Sequence, residues 1–198
     1  MSNLRPAPPP APEAVRVTHV RASLLRGMQL VAEAKEGENG WAWLLESLPE
    51  RSRGVLRQGL DSFRWIETEH VNVLALAHEA HYGAATISER ALATVREQLK
   101  GSHPGILTLL DPAGIVQQAP TIFGFYYKGG RVDVDEIGPE RALISIFAEG
   151  LFPSWYTVSC PTWLCGAVGL AGATRAEFRH HPPVEGCRHR YELVWRER

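Results

Sequence analysis

Cysteine is scarce in this chain: three in 198 residues, with no Cys-x-x-Cys pair. An odd count without framework spacing excludes a disulfide scaffold and gives no zinc-knuckle signature. Cys160 and Cys165 have four residues between them and Cys187 stands alone. Glu185 or His189 could complete a thiolate zinc site with them, but buried thiols without a metal are the expectation. Blocks of one charge are also missing. With 21 basic and 22 acidic residues the net charge is -1, which argues against nucleic acid or an anionic membrane as partner. Arg188, Arg190, Arg196 and Arg198 alternate with Glu192 and Glu197 and read as a wet strand face. No long apolar run exists, because Ser, Cys, Pro, Thr and Gly interrupt Val158 to Ala173, so no membrane span is expected. The first residues lack the apolar stretch of an export signal, and a reducing cytoplasm is expected. Glycine-rich phosphate loops and the Gly-x-Ser-x-Gly elbow are absent, which leaves nucleotide binding and serine hydrolysis unsupported. His78-Glu-Ala-His81 misses the four-residue histidine spacing of zinc proteases. No cofactor is expected.

What is present has a clear order. Five prolines between Pro6 and Pro12 mark residues 1–14 as an extended tail, and residues 15–198 read as one domain. Val15 to Val20 allows a short strand. Ser23 is placed to cap a helix carrying Leu24, Leu25, Met28, Val31 and Ala32 at helical spacing. Helices follow from Trp41 to Leu48 and after Pro49. Phe63, Trp65 and Ile66 form an apolar anchor, and Thr68 is a candidate cap for Glu69 to Tyr82. On that helix His78 shares a stripe with Val71, Leu74 and Ala75 and is expected to point inward. Another helix is expected from Thr86 or Ser88 to Leu99, and two shorter ones within 105–127, separated at Asp111-Pro112. The last third changes character. Val132 to Ile137 and Ala142 to Phe147 alternate like paired strands about Gly138-Pro139. A helical stretch from Pro153 to Ala173 precedes two more strands, Ala176 to His181 and Arg188 to Arg196. In the last, Tyr191, Leu193 and Trp195 share one face. The fold class is α+β: N-terminal helices packed on a C-terminal four-stranded antiparallel sheet with a crossing helix.

Aromatic residues gather at Phe123, Phe125, Tyr126, Tyr127, Trp155 and Trp163. Rings with a polar tip suit a ligand pocket and equally suit a plain core. The candidate ligand-binding residues are Phe123, Tyr126, Tyr127 and Trp163: apolar walls, with tyrosine hydroxyls to orient a ligand.

Several short marks occur in a fixed order. They are Val20-Arg-Ala-Ser-Leu-Leu, Leu44-Leu-Glu-Ser-Leu-Pro49, Phe63-Arg-Trp65, Ala119-Pro120 leading to Tyr126-Tyr127, and Gly130-Arg-Val-Asp-Val. Trp163-Leu-Cys-Gly166, Leu170-Ala-Gly172-Ala and the closing Cys187 to Trp195 complete the set. In these the chain resembles a paralogous family of small myxobacterial proteins. More distantly it resembles the superfamily of the four-vinyl-reductase sensor domain, the Bet-type TRAPP subunits and the haem nitric-oxide-binding domain. The resemblance implies helices on a four-stranded antiparallel sheet, a homodimer formed through the helices, and a pocket for small hydrophobic or aromatic effectors. Zinc-binding relatives use paired cysteines with a Gly-Asp turn, and haem-binding relatives use a helical histidine and a Tyr-x-Ser-x-Arg motif. Neither pattern is present. The expected role is a non-enzymatic cytoplasmic ligand-binding or sensory module that signals through a protein partner. The alternatives are a TRAPP-like dimeric adaptor, with its dimer face on helices 24–34 and 69–82, and a small enzyme using a cysteine with a histidine.

Overall fold

The computed structural model describes residues 15–61, 63–102, 110–187 and 189–197. The proline-rich tail and the first short helix expected in 105–127 lie outside them. The chain folds as α+β. Eight α-helices are found among the described residues: α1 Arg26–Glu36, α2 Gly40–Glu46, α3 Glu50–Leu56, α4 Thr68–Tyr82, α5 Thr86–Arg96, α6 Pro112–Gln117, α7 Ala119–Tyr126 and α8 Cys160–Leu170. The strands are β1 Val15–Arg16, β2 His19–Arg21, β3 Trp65–Glu67, β4 Tyr127–Lys128, β5 Arg131–Ile137, β6 Arg141–Glu149, β7 Arg175–His181 and β8 His189–Arg196.

β5, β6, β8 and β7 form the antiparallel sheet that the alternation of the C-terminal third predicts. Two sets of pairings were not legible in the sequence. β1 extends the β6 edge in parallel, Val15 opposite Ala148, and β3-β2-β4 make a second, small antiparallel sheet. The link between the two sheets is tight. A Cβ on Gly129 would lie 2.2 Å from the Arg16 carbonyl oxygen, and Gly129 and Gly130 both hold positive φ, so the Tyr127-to-Arg131 turn requires glycine there.

β6 is buried from Ala142 to Ala148 because it is covered on both faces. Ala142, Ile144, Ile146 and Ala148 join the core with Tyr191, Leu193 and Trp195 of β8. On the other face long polar side chains form the cover. Ser145 donates to Asp135 at 2.7 Å, Arg190 pairs with Asp135 at 2.9 Å, and the Arg131 guanidinium lies 4.1 Å from the Phe147 ring centroid.

Two capping expectations are corrected. Ser23 lies inside a 3-10 turn, Ala22–Leu25, that leads into α1. The Thr68 hydroxyl donates instead to the Val17 carbonyl at 3.0 Å, tying α4 to the lead-in of β2. α1 ends at Gly37, and α2 opens at Gly40, one residue before the expected start at Trp41. Of the expected anchor, Ile66 is buried while Phe63 is 76% exposed. It lies beside the Arg21 guanidinium, which also stacks on Trp65. The helix expected to run to Leu99 is α-helical only to Arg96 and then passes into a π-helical turn, Glu97–Ser102.

Helix α5 is clamped from two sides. Gly27 lets α1 approach until a Cβ there would lie 2.1 Å from the Arg90 carbonyl oxygen, and Gly166 brings α8 onto Val95 and Leu92. The space left beside this clamp is the candidate site.

Candidate ligand-binding cavity

A cavity of about 100 Å³, measured as the space open to the centre of a water molecule, lies between the helices and the sheet. A site of that size takes several waters or one small molecule. Leu24, Leu25 and Met28 wall one side, Arg90, Ala91, Thr94 and Gln98 of α5 and its π turn another, and Val132, Leu151 and Phe152 the sheet end. Phe123, Tyr126, Tyr127 and Trp163, the four residues singled out by sequence, all line it. Phe125, grouped with them by sequence, is 39% exposed and does not.

The aromatic wall is locked by its own contacts. Phe123 and Tyr127 stack with centroids 4.5 Å apart, and the Trp155 ring meets Tyr127 edge-on at 5.5 Å. Trp155 Nε1 donates to the Tyr127 hydroxyl at 2.9 Å. Burial pushes the Tyr126 phenol up to about 12 and moves Tyr127 up as well, so both stay protonated. Trp163 Nε1 donates to Gln98 Oε1 at 2.8 Å. The cavity is lined mostly by carbon, with a few fixed polar groups, the usual character of a small-molecule site.

Sequence reasoning missed Arg90, Thr94 and Gln98. They form a stripe with Ala91 on one face of a buried helix, at offsets of one, four and eight from Arg90. Polar residues at helical spacing read as a solvent face, and only the apolar stripe of Val95 and Leu99 on the same helix signals that both faces are covered. Arg90 is 2% exposed. It pairs with Glu79 at 2.5 Å, and Ser154 donates to the same carboxylate oxygen.

The cysteines are not brought together as metal ligands. Among the described residues the one three-membered cluster of potential ligands is the exposed Glu67 and Glu69 with the buried His70, and Arg51 lies 3.0 Å from Glu69. Cys160 faces the cavity, and burial pushes its thiol, like that of Cys165, up to about 12. A protonated thiol is a poor nucleophile and a poor metal ligand.

His78 is fully buried but does not line the cavity. Neither ring nitrogen has a hydrogen-bond partner among the described residues; the Met28 carbonyl is near enough to favour the charged ring slightly but misses bonding geometry. Burial first, and the Arg90 charge second, hold its pKa down to about 4. The unfolded imidazole takes a proton below about 6.5 while the folded one stays neutral until about 4. Stability is therefore complete above pH 6.5 and falls as the pH drops toward 4, by about 3 kcal/mol. Urea unfolding at pH 7 and pH 4.5 is expected to show that slope, and His78→Phe to flatten it. An unchanged slope in the variant would assign the effect to other groups.

No protein-family model matches this chain, and no curated protein matches it. Solved structures do. The architecture is that of H-NOX domains, the haem nitric-oxide-binding fold. The Fe(II) unliganded H-NOX protein from K. algicida superposes with a TM-score of 0.68 at 12% identity, over 90% of this chain and 97% of that one. An H-NOX protein from S. oneidensis gives 0.64 at 10% identity, over 89% and 96%. An oxygen-binding H-NOX domain related to soluble guanylate cyclases gives 0.63 at 7%, over 88% and 94%. At these identities the likeness establishes the fold. Among the described residues no helix is long and apolar enough to cross a membrane.

Proposed function

We propose that this protein is a non-enzymatic ligand-binding or sensory module whose cavity takes a small hydrophobic or aromatic effector. The observation that carries this reading is the carbon-lined cavity itself, which sits between helices and sheet in a fold whose solved relatives include an oxygen-binding domain. A filled core would have favoured the adaptor reading. The protonated thiols of Cys160 and Cys165 speak against the cysteine-enzyme reading.

Haem is the group the fold family implies, since one similar structure concerns haem redox potential and porphyrin distortion. The residues present do not fit it. Among the described cavity-lining residues there is no histidine, and the Cys160 thiol and the tyrosine phenols are held protonated. Arg90, the one cationic side chain on the wall among those residues, is already paired with Glu79 and has little left for propionates. The cavity suits something smaller and uncharged.

A signal from such a module would leave through a protein contact in the cytoplasm. Leu30 on α1 and Leu76 on α4, 38% and 52% exposed, supply apolar surface for the homodimer that the resemblance to myxobacterial and TRAPP-type proteins suggests.

The test uses isopropylbenzene as probe and Ala91→Phe to fill the cavity. Saturating probe is expected to raise the melting temperature of the natural chain by about 5 °C and to leave the variant unmoved. No rise in the natural chain would overturn the cavity reading. An equal rise in both would place binding elsewhere. Purified protein offered haem is expected to develop no Soret band.

A further inference from the structure

Three residues of the cavity lining, Arg90, Gln98 and Ser159, carry a buried polar atom without a hydrogen-bond partner among the described residues. Arg90 Nε belongs to a guanidinium already paired with Glu79, whereas Gln98 Nε2 and Ser159 Oγ are neutral groups without a partner among the described residues, and Gln98 is only 2% exposed. The orientation of the Gln98 amide is settled by its neighbour. Trp163 Nε1–H donates to Gln98 Oε1 at 2.8 Å, and an indole can only donate. The amide oxygen must face Trp163, so its N–H groups face elsewhere and lack an acceptor. Ser159 precedes Trp163 by four residues, about one helical turn, and lines the same cavity as Gln98 and Trp163.

Both also sit in unusual backbone. Gln98 lies in the π-helical turn Glu97–Ser102 and Ser159 ends another, Trp155–Ser159. Such turns are rare and concentrate at functional sites. The other end of the wall offers no net charge, because Glu79 neutralises Arg90.

We propose that the ligand is a neutral apolar or aromatic molecule bearing a carbonyl-type hydrogen-bond acceptor, bound by the Gln98 amide N–H with the Ser159 hydroxyl as second donor. This deepens the ligand-binding reading and rests on it. The aromatic wall holds the hydrocarbon part, and Trp163 acts as a positioning residue that fixes which side of the Gln98 amide meets the ligand.

Acetophenone and isopropylbenzene have nearly the same shape and differ in the carbonyl. A ketone must be stripped of water to enter, so without a waiting donor the hydrocarbon binds more tightly. Titration of each into the full chain, followed by tryptophan fluorescence, is expected to give acetophenone an advantage of about 3- to 10-fold. Gln98→Met removes the donor at similar length and is expected to abolish the preference while leaving isopropylbenzene within about twofold. Gln98→Glu keeps an oxygen for the Trp163 Nε1–H and, assayed at a pH high enough to ionise the buried carboxyl, carries no donor, so there it should reject the ketone without disturbing the indole. Equal or tighter binding of isopropylbenzene by the natural chain would overturn the acceptor assignment and leave the cavity reading standing. A ketone preference that survives both variants would overturn the role of Gln98. Binding of neither probe would overturn both readings.

Discussion

Glu79→Ala is expected to destabilise the protein by about 3 kcal/mol or more, because it leaves a buried guanidinium without its counter-charge. Arg90 is nearly inaccessible, and burial already moves its pKa down against the opposing pull of Glu79. The pair is therefore costly to bury and costlier to break. Two details place the effect toward the lower end of the usual range of about 3–5 kcal/mol. The Glu79 side chain is 21% exposed, so water can enter in its place, and Arg90 also reaches the Ala75 carbonyl at 3.4 Å. The double variant Glu79→Leu with Arg90→Met removes both charges at similar volume and is expected to recover most of the loss. Urea denaturation of the three proteins checks this. A loss below about 1 kcal/mol for Glu79→Ala would mean that the pair behaves as a surface ion pair, against its burial.

Gly27→Ala is expected to have an effect of similar size through a single methyl group. In an unobstructed helix this substitution stabilises by about 1 kcal/mol. Here the added Cβ would lie 2.1 Å from the Arg90 carbonyl oxygen and from Thr94 Oγ1, and 2.9 Å from the Thr94 amide nitrogen. Backbone atoms of α5 cannot rotate away, so α1 must move. Overpacking of this kind costs about 3 kcal/mol when the neighbour is rigid. The displaced helix carries Met28 and is joined directly to the turn that carries Leu24 and Leu25, so one wall of the cavity shifts with it. The sign decides the matter: a variant with unchanged or raised stability would mean that α1 and α5 are not packed backbone to backbone. Loss of stability together with weaker probe binding is the expected pair of results.

The parts of the fold that follow a simple period were legible in the sequence. β8 alternates Tyr191, Leu193 and Trp195 with wetter residues, and that alternation alone places it in a sheet with one face on the core. The aromatic cluster could be read in the same way, because Phe123, Tyr126, Tyr127 and Trp163 are large, apolar and few. Caps were less legible. A hydroxyl before a helix can serve the helix end or a distant carbonyl, and Thr68 serves Val17. Gln98 and Ser159 were hidden for a further reason. Each lies where the helical ladder widens, and a search at 3.6 residues per turn cannot see a turn of another period. The β1 strand was half legible: its alternation suggested extended chain, but its partner, Ala148, is over a hundred residues away.

A π turn amounts to one extra residue in an α-helix. Removing one residue from Glu97–Ser102 would let the α-helix continue and rotate whatever follows by about 100°. The bases of specificity on this wall are therefore encoded by length as well as by residue type. In a comparison of chains with this fold, a one-residue gap in either segment would report more about ligand choice than any substitution there.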